Sequence, residues 1–118
     1  MNTNRENVLN DILNKNKIKD EKAKEKIVSF FKKFSEIVDE LIKYDFNSNF
    51  IPHTKISDLI LTFEEILNSS FKEKKNILIA LYEINIYFRM LIIAHISKIK
   101  NIVDSAIMQS EIGIKEDI

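Results

Sequence analysis

The chain has no cysteine, no tryptophan, one glycine (Gly113) and one proline (Pro52) in 118 residues, and no formal net charge. Each absence excludes something. Without cysteine there is neither a disulfide nor a thiolate metal site. A sheet built from hairpins needs glycine and proline at its turns, so their scarcity points to long helices joined by short polar loops. A balanced charge gives no overall attraction to a nucleic acid. Arginine and histidine occur twice each, leaving few groups for acid-base work or for gripping phosphate. There is no glycine-rich phosphate loop and no His/Asp/Glu set at metal spacing, so no cofactor and no metal is expected. The N-terminal MNTNRENVLNDIL has no apolar run of signal-peptide length. Together with the lack of cysteine, that predicts a cytoplasmic protein.

What is present is hydrophobic content of 45%, enough for an ordinary core, in a length that predicts one helical domain over 1–118. Lysine, isoleucine and asparagine are abundant. That is the bias of AT-rich coding sequence and suggests a low-GC bacterium or its phage or plasmid. The charge is unevenly placed. Residues 15–33 carry eight lysines against Asp20, Glu21 and Glu25, while residues 34–66 carry seven acids against Lys43 and Lys55. The basic stretch, with Lys22, Lys26, Lys32 and Lys33, is either a solvated helix face or a patch for a phosphate backbone.

The apolar spacing predicts four helices. The first is short, with Thr3 and Glu6 at the spacing of a capping box and Val8, Leu9, Ile12 and Leu13 on one face. Asp20 caps the second, whose stripe of Ile27, Phe30, Phe31, Phe34, Ile37, Val38 and Leu41 carries it to about Tyr44. A loop over 44–55 holds Phe46, Phe50 and Ile51, which either fold back onto the bundle or form a contact patch. Thr54 caps the third helix, with Ile56, Leu59, Ile60, Phe63, Ile66 and Leu67 as its stripe. Ser70 and Glu73 form a second capping box opening a helix from about 71 to 112, with Gly113 as its left-handed terminus. The expected fold is an all-α four-helix bundle with a dominant C-terminal helix.

Read at 100° per residue, that last helix has a core seam of Ile77, Leu81, Ile84, Phe88, Leu91, His95, Ile99, Ile102 and Ala106. A second apolar stripe, Ile79, Ile86, Met90 and Ile93, lies on the other side. It must be covered either by the chain's own helices or by another chain. So apolar a helix also fits a membrane span by length. Glu83, Asn85, Arg89 and His95 within it make spanning costly, and no membrane association is expected. His95 falls in the core seam, as a core histidine with one or two hydrogen bonds. Arg89 lies at its edge, where the stem can cover apolar surface and the head can meet an acid from another helix.

YFRMLIIAH, residues 87–95, places an arginine six residues before a histidine. That pattern resembles the signature of the HEPN family, small helical bundles of which many are RNases of toxin and defence systems. The resemblance implies that Arg89 and His95 come together across a homodimer, Arg89 stabilising charge at a scissile phosphate and His95 serving as, or assisting, the general acid-base. Met90 stands after the arginine, where that family commonly has a polar residue, and Ile96 and Ser97 follow the histidine, where an aromatic is common. AHISK is also similar to the His-x-x-Lys of phosphotransfer bundles, with Ile99 in place of their glycine. The leading expectation is a non-catalytic helical interaction module. It would bind a protein partner or a second copy through Ile79, Ile86, Met90 and Ile93, as a subunit of a larger assembly or as an inhibitor, immunity or anti-defence protein. The alternatives are the HEPN-like RNase and a nucleic-acid-binding subunit using the lysines of 15–33.

Overall fold

The computed structural model describes residues 3–116, with side chains to residue 111. Four helices follow one another: α1 (Thr3–Lys15), α2 (Glu21–Lys43), α3 (His53–Leu67) and α4 (Lys74–Glu116). A single 3-10 turn at Ser48–Phe50 interrupts the loop between α2 and α3, and there is no strand among the described residues. The all-α bundle with a short first helix and a long last one is the architecture that the spacing predicts.

Local chemistry sets most of the boundaries. Asp20 caps α2 as expected, its carboxylate accepting from the N–H groups of Lys22 and Ala23. α1 ends in a left-handed residue, Lys17 at φ 53°. The N–H of Ile18 returns to Leu13 O and that of Lys17 to Asn14 O. This is the paired closure that satisfies a helix's last carbonyls, and it buries Ile18 beside Leu13. α2 ends the same way, with Asp45 at φ 50° and the N–H groups of Phe46 and Asp45 returning to Leu41 O and Ile42 O.

Four boundaries differ from expectation. Thr3 is already helical, so it does not cap α1, and the position before it lies outside the described residues. Thr54 sits inside α3, which Pro52 precedes without a side-chain cap. Ser70 and Glu73 do not form a box. α4 begins at Lys74, and the Glu73 carboxylate instead accepts from the backbone N–H of Lys19 (3.0 Å) and Asp20 (3.1 Å). There it meets the positive end of the α2 dipole, which favours a carboxylate. Gly113 does not end α4, which continues through it to Glu116. One glycine costs a helix only about 1 kcal/mol.

The partners along each helix fix its direction. Glu73 joins the start of α4 to the start of α2, and His95 on α4 meets Asp45 at the end of α2, so these two run parallel. α3 runs back along α2, pairing Lys55 with Glu40, Asp58 with Lys33 and Glu65 with Lys26. Glu40 raises the Lys55 pKa above its ordinary value through their hydrogen bond. α1 also runs back, with Arg5 near Phe88 and Lys15 near Glu83.

The core lies where α1, α2 and α4 meet. Ile27, Phe31, Ile77, Ile84 and Phe88 are fully buried there. Phe88 stacks on Phe34 (4.7 Å) and tilts against Phe31 (4.8 Å). α3 packs on α2 and hardly on α4, so the bundle is open along one seam. Of α3's described residues only Thr62 and Ile66 are buried, while Ile60, Leu61 and Phe63 of its apolar set are exposed.

Candidate interaction surface on the long helix

α4 is about 65 Å long at 1.5 Å per residue, and the bundle covers only its first half. α2 ends level with His95. From residue 100 to residue 111 every described side chain is exposed. The expected core seam is therefore core only in part. Ile77, Leu81, Ile84 and Phe88 are buried and Leu91, His95 and Ile99 are half-buried, but Ile102 and Ala106 lie in the open. The reason is length. No other helix reaches that far, so the same stripe has nothing to pack on.

The second stripe is uncovered within the bundle as well. Ile79 is 40% exposed, Ile86 36%, Met90 64% and Ile93 59%. Tyr82, Ile96, Val103 and Ile107 are exposed on the same helix. Together they show a pattern beyond the four residues the sequence reading singled out. Ile79, Ile86, Ile93 and Ile107 are spaced by sevens, with Lys100 at the one polar step. Tyr82, Arg89, Ile96 and Val103 form a second series three residues on. This is the a/d pattern of a coiled-coil seam, and it runs along the uncovered face through both halves of α4. The spacing was present in the sequence, but the stronger core seam on the opposite side masked it.

Beside this face lies the open seam of the bundle, a groove of about 350 Å³ with Phe30 and Phe34 as its floor, Ile60 and Phe63 on one wall and Leu78 and Tyr82 on the other. In the loop, Phe46 packs near His95 (5.8 Å between rings), whereas Phe50 stacks on Tyr44 and stays exposed.

Arg89 and His95 do not share a cleft within one chain. They are separated by about 9 Å of rise and about 120° around the helix. His95 is half-buried and turns toward the end of α2, its Nε2 3.0 Å from Asp45 Oδ1. Arg89 is exposed and forms no ion pair among the described residues, contrary to the acid partner expected for it. The arginine that does enter the packing is Arg5, which sequence reasoning passed over. Its guanidinium donates to Ser35 Oγ (2.6 Å), pairs with Asp39 (2.8 Å) and lies 5.8 Å from the Phe88 ring centre, tying α1 to α2 and α4.

The four lysines divide. Lys26 and Lys33 are engaged by Glu65 and Asp58, and Lys33 also donates to Thr62 Oγ1 (2.7 Å). Lys22 and Lys32 are exposed and unpaired among the described residues. The basic stretch of α2 and the acidic stretch that follows thus face each other across the α2–α3 hairpin.

No group of three or more metal-ligating side chains occurs among the described residues. No family model, no curated protein and no solved structure matches the chain.

Proposed function

We propose that this protein is a small non-catalytic helical interaction module that acts in the cytoplasm by binding protein through the outer face of α4. Such a module serves as a subunit of a larger assembly or as an inhibitor, immunity or anti-defence protein. The observation that carries the reading is the uncovered apolar stripe of Ile79, Ile86, Met90 and Ile93, continued by Val103 and Ile107 past the end of the bundle. A soluble monomer gains nothing by holding a long apolar strip in water, and such strips mark binding faces.

α4 is long and apolar enough to cross a bilayer. We favour a protein partner over lipid on two grounds. Glu83 and Arg89 would enter the hydrocarbon, at about 3 kcal/mol for a charge near its centre. The charged outer faces of α1 and α2, which pack along the same stretch, would have to follow.

The test is Ile86→Lys. Lysine lays its stem on the apolar surface and keeps its ammonium wet, so the helical signal and the melting temperature stay close to wild type while association through this face is lost. If the variant unfolds instead, the stripe is internal core and the reading fails.

A further inference from the structure

We infer that the occupant of this face is a second copy of the same chain, laid antiparallel so that the projecting half of each α4 covers the outer stripe of the other's bundled half. The inference rests on the reading of that face as a binding surface, and it adds the identity of the partner and its register.

Three observations lead there. The first is length. The stretch from 100 to Glu116 extends past the bundle and spans about 25 Å, against roughly 35 Å of bundled helix from Lys74 to residue 96. A two-fold axis near Lys98 lays residues 97–116 of one copy along residues 80–99 of the other. Each bundle then sits beside the partner's bare helix, and the two bundles lie at opposite ends without meeting. A self-complementary patch of this kind is what a two-fold dimer requires.

The second is the seven-residue repeat, which keeps a seam facing one partner helix along its whole length. With the axis near Lys98, Ile93 faces the partner's Val103 and Ile86 faces the partner's Ser110.

The third is charge. The repeat is broken by two basic residues, Arg89 and Lys100, and the acids of the projecting half are Asp104 and Glu111. A parallel pair would stack Arg89 on the partner's Arg89 and Lys100 on its Lys100. The antiparallel pair seats Arg89 opposite the partner's Ile107, one turn from both the partner's Asp104 and the partner's Glu111. Shifting by one heptad would bring Arg89 against the partner's Lys100. Charge therefore favours the antiparallel direction through Arg89 and disfavours a one-heptad shift toward the bundles, while the two Lys100 side chains lie about one turn apart across the axis. It also gives Arg89 the acid partners that it lacks among the described residues of its own chain.

The experiment uses the full chain, whose lack of cysteine makes introduced thiols unambiguous. Light scattering at micromolar concentration gives twice the 13.9 kDa chain mass. Under mild oxidation Ile86→Cys alone and Ser110→Cys alone stay unlinked, while an equimolar mixture of the two forms a covalent dimer, with circular dichroism confirming the fold of each. A disulfide formed by Ile86→Cys alone would mean a parallel pair and overturn the inference. A wild-type chain that remains monomeric overturns it too. An apolar dye then separates the causes. Dye bound by the wild-type monomer and lost in Ile93→Lys leaves the face exposed for a foreign protein. No dye binding means the face is covered internally, and the binding-surface reading falls with the dimer.

Discussion

Deleting everything after Ile99 removes the projecting part of α4 and separates folding from association. Every described side chain from residue 100 to 111 is exposed, so among the described residues the deletion takes no buried side chain from the chain that loses it. The core from Ile77 to Phe88 and the His95–Asp45 contact are untouched. The stability of the single chain should change by less than about 1 kcal/mol, which for a domain of this size is a melting shift of under about 4 °C. Association is different. In the antiparallel pair each copy loses Val103 and Ile107 from the partner's seam and leaves the partner's Ile93 and Ile86 uncovered. At about 1 to 2 kcal/mol for each partly exposed aliphatic side chain newly buried, the dimer loses more than about 4 kcal/mol, or about a thousandfold in its dissociation constant. Thermal melts by circular dichroism at low concentration read the first quantity, and sedimentation across a dilution series reads the second. A fall in melting temperature of about 10 °C or more in the dilute chain would refute the reasoning, because it would mean that the projecting segment contributes to its own chain's core.

Two substitutions probe the packing beneath the surface. Phe88→Ala removes a ring that is 0% exposed and stacked against Phe34 and Phe31, and should cost about 3 to 5 kcal/mol in denaturant unfolding; a cost below about 1 kcal/mol would move the core elsewhere. His95→Ala should cost about 1 kcal/mol, since it breaks one hydrogen bond with a largely exposed Asp45 and a ring contact with Phe46, and should leave association unchanged. An RNase activity in the wild-type protein that vanishes in this variant and in Arg89→Ala, with both folds intact, would instead return the pair to a catalytic role.

The fold was legible wherever one physical cue acted alone. The stripe of Ile27, Phe30, Phe31, Ile37 and Val38 predicted α2 and its buried face, and Asp20 predicted its start. Cues that had to compete were misread. Glu73 has the spacing to close a box with Ser70, but the start of α2 offers it two backbone N–H groups that no local pattern reveals. Ile102 and Ala106 carry the same periodicity as Ile77 and Phe88, and periodicity states which way a side chain faces without stating whether anything lies there. The lengths of α1, α2 and α3 decide that. Arg5 was overlooked for a similar reason, because its value comes from Ser35, Asp39 and Phe88, all distant in sequence.

The uneven charge bears on what is recognised. A basic segment followed by an acidic one suggests in sequence a surface for phosphate or for an oppositely charged partner. The fold turns the two segments against each other, Lys26 to Glu65 and Lys33 to Asp58, with Lys55 to Glu40 adding a third pair between α3 and α2, and so offsets part of the field they would project. Each such exposed pair adds at most about 1 kcal/mol to stability, and together they fix α3 in register on α2. That placement keeps α3 away from α4 and leaves the outer face of the long helix bare. These paired charges thus act within the chain, and the exposed stripe of Ile79, Ile86, Met90 and Ile93 is apolar. In the inferred pair, Arg89 stands where a parallel direction would set it against its own copy.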